Sequence, residues 1–277
     1  MKRRLLFAII AAVSLINTLL FMVPLGAQSI WVDQSSHNSI AIEILKPHLD
    51  GDENFTFISS AWFLSGRFWL GENVVIMGEL PLAYGALDEN FGFDEDETII
   101  GNPYIGLELR KQGSPVYAEI GGRIPLTPDD KFLAPTIGSY SDLDRLEAFA
   151  SDVITLTAKM NYHQISASNL AFRIRGGPTF WINTGGNGDD SELLLDYSAQ
   201  VGYEGERITV LGGLTGRLLV TEGDLDLGER TFHQLGVAAS VGLGTVRPGV
   251  HLRFPIDEDS NDLIDFVLGF NLAIEFK

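Results

Sequence analysis

From residue 37 onward the chain alternates. Apolar residues recur at every second position through segments of about a dozen residues, and charged residues, many of them arginines, fill the positions between. Side chains at i and i+2 leave the same face of a strand, so a period of two predicts strands. The pattern predicts them over 37–49, 54–70, 73–85, 98–111, 114–126, 148–162, 166–182, 192–204, 206–221, 230–243, 245–256 and 262–277. The last is the clearest. Phe266, Leu268, Phe270, Leu272, Ile274 and Phe276 share one face, while Asp265, Val267, Gly269, Asn271, Ala273 and Glu275 share the other. Within 245–256, Val250, Leu252, Phe254 and Ile256 oppose Arg247, Gly249, His251 and Arg253.

The connections alternate too. After odd-numbered segments they are long and acidic, at 50–53, 86–97, 127–147, 183–191, 222–229 and 257–261. After even-numbered ones they are tight and mostly glycine-bearing: Gly71-Glu72, Gln112-Gly113, His163-Gln164-Ile165, Gly205 and Gly244. Short turns of this kind join antiparallel neighbours. A water-soluble sandwich is the competing architecture, but it must hide its apolar faces, and no helix is predicted to cover them. Aromatic residues also stand near strand ends on the apolar side: Phe68, Tyr84, Tyr162, Tyr203, Phe254 and Phe276. Rings at interface height form the girdles of membrane barrels. The expected fold is therefore all-β, a transmembrane antiparallel up-and-down barrel of about twelve strands. In such a barrel the short turns face the periplasm and the long loops the exterior.

Composition agrees. Mean hydropathy is +0.13 with 30 glycines, as expected when only alternate residues are apolar. Cysteine is absent, which excludes disulfides and thiolate metal sites. Lys2, Arg3 and Arg4 precede the largely apolar stretch 5–23, and Pro24-Leu25-Gly26-Ala27 supplies a break and small residues. Residues 1–27 read as a cleaved signal peptide and 28–277 as the barrel; an uncleaved helical anchor is the alternative. Cleavage removes three positive charges and no negative one, taking the net charge from −18 to −21. A chain this acidic is not expected to bind nucleic acid through bulk charge.

Alternation also gives the inward face. Glu43, Arg67, Glu79, Glu108, Arg110, Glu119, Arg123, Lys159, Arg173, Arg175, Asp196, Arg207, Arg217, Arg247, His251, Arg253 and Glu275 fall on it. Cations outnumber anions, so the set predicts a pore lining with a basic constriction that attracts anions. A salt-bridged interior that rigidifies the barrel is the other reading. The segment 141–151 (SDLDRLEAFAS) has helix-like spacing at Leu143, Leu146 and Phe149. With 127–140 it makes the longest loop, which either folds inward as a constriction or extends the following strand outward.

More than half of the 37 acidic residues lie in the long connections. They fit a solvated rim better than a cation site, because no EF-hand spacing occurs. Among the five histidines, His48 and His233 fall near outer strand ends. Neither has a serine and an acid at an interpretable spacing, and no G-x-S-x-G, H-E-x-x-H or P-loop is present. The chain is not read as an enzyme, and no cofactor is implied.

Two stretches carry a family resemblance: Gly101-Asn102-Pro103-Tyr104-Ile105-Gly106-Leu107-Glu108-Leu109, and Gly122-Arg123-Ile124-Pro125-Leu126-Thr127-Pro128-Asp129-Asp130. They resemble the outer-membrane transporter barrels of the phenol meta-cleavage-pathway type. The first is similar to a recurrent Gly-Asp/Asn-Pro-Tyr-x-Gly-Leu motif. The resemblance implies a barrel that moves hydrophobic or small organic solutes across the outer membrane, with no catalytic residues to carry over. The last strand likewise resembles those of outer-membrane proteins, whose terminal aromatic is read by the barrel assembly machinery; here Phe276 is penultimate, before Lys277. The expected function is a passive channel or transporter for small, organic or anionic solutes. A structural or adhesion barrel with a plugged lumen and, third, a lipid hydrolase at the rim are the alternatives.

Overall fold

The computed structural model describes residues 29–32, 37–49, 56, 58–87, 96–111, 113–185, 191–222, 226 and 228–276. The expected signal peptide, Lys277 and much of the acidic loops lie outside them. The strands are β1 (Asn38–Leu49), β2 (Ser60–Leu70), β3 (Val74–Ala86), β4 (Asp96–Ile100), β5 (Tyr104–Arg110), β6 (Val116–Arg123), β7 (Val153–Ile165), β8 (Leu170–Asn183), β9 (Glu192–Glu204), β10 (Ile208–Leu219), β11 (Thr231–Val241), β12 (Val246–Pro255) and β13 (Ile264–Phe276). Each pairs antiparallel with its neighbours, and β1 pairs with both β2 and β13 to close the ring. β4 and β5 both pair with β3 and make one stave of the wall, so the barrel has twelve staves. The ring is closed, with an unpaired edge left only along the short β4 among the described strands; closure is the condition for a sheet to cross hydrocarbon.

Several boundaries differ from expectation; β2 begins at Ser60 rather than at 54, and β6 ends at Arg123 rather than at 126. The strand expected over 98–111 is interrupted at Gly101-Asn102-Pro103, where proline has no N–H to give the ladder. The strand expected from 148 begins at Val153, because the residues before it belong to an inward loop. The turn expected at 163–165 lies at 166–169, with Asn169 in the left-handed region at φ 61°.

The wall alternates as the sequence demands. Outward positions are exposed and apolar, among them Val237 and Phe270, while the inward Val267, Asn271 and Ala273 beside them are buried. Rings pair on the outer face at both ends: Phe68 with Phe276 and Phe254 with Phe266. Val237 sits mid-strand and is 54% exposed. Val237→Arg is expected to cost about 2–4 kcal/mol, the range for arginine at a bilayer midplane. Urea unfolding in lipid vesicles checks this; a cost near zero would place Val237 away from hydrocarbon.

The lumen is not empty. The loop between β6 and β7 turns into the barrel and carries α1 (Leu133–Ser141) and a 3-10 helix (Leu143–Ala148). Of the two courses open to this loop, the inward one is observed, and its α-helix lies earlier than the Leu143, Leu146, Phe149 spacing indicated. Inward apolar residues of the wall (Leu45, Phe63, Ala83, Ile99, Ile264 and Val267) form one core with Ala134, Ile137, Leu143 and Phe149 of the loop. Glu97 on β4 accepts from the backbone N–H groups of Phe132 and Ala134 and so caps α1. Gly85 on β3 lets α1 approach, since a Cβ there would lie 2.9 Å from the Leu133 carbonyl. A one-turn helix, α2 (Glu258–Asn261), follows β12. The segment 29–32 also lies inside, with Trp31 only 2% exposed and its indole N–H donating to Asp144 at 2.9 Å.

Candidate functional site

The inward loop brings four charges in sequence: Asp142, Asp144, Arg145 and Glu147. They meet the charges of the wall. Arg145 is bonded to Asp142 in its own turn and to Glu43 and Glu79 on β1 and β3. Its guanidinium also lies 3.6 Å from the centre of the Phe63 ring. Arg253 donates to Asp142 at 2.8 Å. Arg123 donates to Glu79 at 2.6 Å, and Arg217 donates to Glu147 and Asp196, each at 2.7 Å. Burial alone would raise the Asp142 carboxyl, but the Arg145 and Arg253 guanidiniums outweigh it and hold the group well below the usual carboxylate range.

Asn102, in the break between β4 and β5, holds both ends of the loop. Its side-chain oxygen accepts from the backbone N–H groups of Leu126 at 2.7 Å and Thr127 at 2.9 Å. Its amide N–H groups donate to the carbonyls of Glu147 at 2.9 Å and Ala150 at 2.6 Å. The backbone N–H of Asn102 also donates to the Ala148 carbonyl, and Arg123 donates to the Asn102 carbonyl. Gly101 is required by the close approach, because a Cβ would lie 2.2 Å from the Ala148 oxygen. Tyr104 then packs over Gly106 and Gly121 and donates to Glu119 at 2.9 Å. The Gly-Asn-Pro-Tyr-x-Gly stretch is thus the place where the wall opens to bind the loop.

The remaining inward residues pair within the wall. Arg67 donates to Glu108, which also faces Arg110 at 2.9 Å; Arg110 in turn lies over the Tyr117 ring. Lys159 is bonded to Asp196 and to Thr179, and Arg175 to Glu119. Arg173 and His163 share Glu204. His251 is buried, 3.3 Å from Glu43. Glu275 is near His37 at 3.7 Å. Two arginines stand apart from the rest. Arg207 is exposed in the turn before β10, so it does not face the lumen, because the strand expected from 206 starts at Ile208. Arg247 is half-buried near the short-turn end and donates to the Glu206 carbonyl. The expected excess of lumenal cations is offset by the loop's acids, which a tally of strand residues alone leaves out.

Between the loop and strands β5–β10 a cavity of about 80 Å³ remains, bordered also by Ser29 and Ile30. This is room for several waters or for one small organic molecule. Arg123, Lys159, Arg175, Arg217 and Glu119 line it, together with Asp144, Arg145 and Glu147 of the loop.

The two rim histidines lie on the outer face. His48 is 3.8 Å from Asp265. His233 is held between the Tyr197 hydroxyl on Nε2 and Asp257 on Nδ1 at 2.8 Å. The backbone N–H of His233 also donates to Asp257. Among the described residues, no cluster of carboxylates and histidines suited to a metal ion occurs.

No family model and no curated protein matches this chain. Solved structures do match in fold. The chain is similar to the COG4313 outer membrane channel from Pseudomonas putida F1, at TM-score 0.57 and 11% identity, over 90% of this chain and 99% of that one. It is equally similar to the translocator domain of the autotransporter NalP from Neisseria meningitidis, at TM-score 0.57 and 9% identity, over 89% and 91%. The NanC porin gives TM-score 0.55 and 9% identity, over 86% and 100%. At such identities the likeness shows the fold, a twelve-stave outer-membrane barrel.

Proposed function

We propose that this protein is a passive outer-membrane channel for small solutes, narrowed by its own inward loop. The observation that carries the reading is the polar cavity left between that loop and the wall, in a barrel whose interior is charged yet paired. Twelve staves enclose a lumen between the side-chain-filled eight-stranded size and the open porin size, and the loop takes up much of it. A channel and a porin among the structures of similar fold support the reading, although a translocator domain shares that fold as well. Of the side chains proposed to line the path, Glu79, Glu119, Arg123, Lys159, Arg175, Arg217, His251 and Arg253 stand around the loop. Arg67, Glu108, Arg110, Arg173 and Arg247 stand toward the short-turn end. Because acids offset the cations, selectivity by charge is weak. Export through a cleaved segment 1–27, and reading of the strand ending at Phe276 by the barrel assembly machinery, belong to the same proposal.

Reconstitution into planar bilayers tests it. A small conductance, well below that of an open sixteen-stranded pore, is expected, with a reversal potential close to zero in a salt gradient. Arg175→Ala should move that potential toward cation preference. A second reading, a sealed structural barrel, is favoured by the ion pairs between loop and wall. Absence of both conductance and solute uptake would establish it.

A further inference from the structure

The cavity beside the loop has unmet hydrogen-bonding capacity of one kind. Arg175 on β8 is opposite Ser198 on β9, which is opposite Thr215 on β10. Arg217 stands two residues along β10 on the same inward face, and all four line the cavity. Adjacent strands are about 4.8 Å apart, so the row spans roughly 10 Å. Arg217 is 2% exposed; Asp196 takes its Nε and Glu147 one Nη, while Nη2 has no partner. Thr215 is also 2% exposed, and its hydroxyl has no partner. Arg175 gives an Nη to Glu119 and leaves Nε unmatched. A guanidinium N–H can only donate, and a hydroxyl can donate. Buried donors left unmatched are costly, and an acceptor placed among them recovers that cost.

Resting on the channel reading, we propose that this cavity is a binding site for small organic carboxylates within a path that otherwise discriminates little by charge. Two donors fixed by carboxylates behind them, beside two hydroxyls, suit the two oxygens of one carboxylate. The lining holds five Lys and Arg side chains against four Asp and Glu. The single excess positive charge suits a monoanion, and the four acids disfavour a phosphate dianion. Tyr104 and Ile30 also line the cavity, so the ligand can carry a small apolar body behind its carboxylate.

Titration calorimetry on the full folded barrel in detergent tests the site, with benzoate as probe and benzyl alcohol as its neutral match. Benzoate should bind saturably and at least about tenfold more tightly, the scale of a hydrogen bond to a charged group. Ser198→Ala with Thr215→Val removes two donors and no charge, and should shrink that ratio about fivefold or more. Arg175→Gln, which can still donate to Glu119, is the second variant and should lower benzoate affinity alone; heat-modifiable migration on a gel shows that each variant is folded. Equal affinity for the two probes overturns the proposal, as does benzoate binding unchanged in both variants. Conductance from the same preparation separates the two claims. Conductance without benzoate binding removes the site and leaves the channel, whereas benzoate binding without conductance or uptake keeps the site and removes the channel.

Discussion

Replacing Arg145 by alanine should destabilise the folded barrel by about 3–5 kcal/mol, the usual cost of removing one partner from a buried ion cluster. It should also raise conductance several-fold. Arg145 is only 8% exposed and is the one cation that the loop brings into the lumen, where it bridges Asp142, Glu43 and Glu79. Without it, three carboxylates face one another with Arg123 and Arg253 alone to neutralise them. The loop's own acids are then repelled by Glu43 and Glu79, so the loop should swing out rather than the wall unfold. Arg145→Lys keeps the charge but lacks the planar fork that reaches several carboxylates, and should fall between. Adding Glu43→Gln and Glu79→Gln to Arg145→Ala should restore part of the stability, because it removes the repulsion as well as the bonds. Urea unfolding and single-channel recording on the same variants read the two effects. Unchanged conductance in a folded Arg145→Ala barrel would mean that the loop does not obstruct the path.

The wall was legible in the sequence because hydrocarbon and lumen impose a period of two on every strand. The face that Phe270, Leu272 and Ile274 share needed no three-dimensional information. Closure was legible from the alternation of long and short connections. The filling of the lumen was not. Asp142, Asp144 and Glu147 read as rim acids, since nothing in a local pattern distinguishes a loop that turns inward from one that turns out. Their pairing with Arg253 and Arg217 crosses more than sixty residues of chain. The place of Trp31 was illegible for the same reason, although an indole lying against Gly236 inside the wall is part of the filling. One signal was available: an arginine flanked by acids and spaced among Leu143, Leu146 and Phe149 is an odd composition for a solvated loop. A strand start at Ile208 in place of 206 is enough to move Arg207 from the lumen to a turn.

Asn102→Ala should loosen both ends of the loop by a different route, without removing any charge. The substitution strands two backbone N–H groups, of Leu126 and Thr127, and two carbonyls, of Glu147 and Ala150. Each buried group left unmatched costs about 1–3 kcal/mol. Water reaching the loop ends relieves part of this, so a loss of about 3 kcal/mol is expected. Asn102→Asp separates the two halves of the latch. Its carboxylate still accepts from Leu126 and Thr127, but it cannot donate to Glu147 and Ala150 and sets a negative charge against their oxygens. It should therefore free the end of the loop that leads into β7 while holding the end that leaves β6. Hydrogen exchange followed by mass spectrometry resolves the ends: Asn102→Ala should lose protection over both 126–127 and 147–150, and Asn102→Asp over 147–150 alone. If both variants kept wild-type protection there, the ion pairs would hold the loop without the latch. The interruption between β4 and β5 would then have no bearing on the lumen.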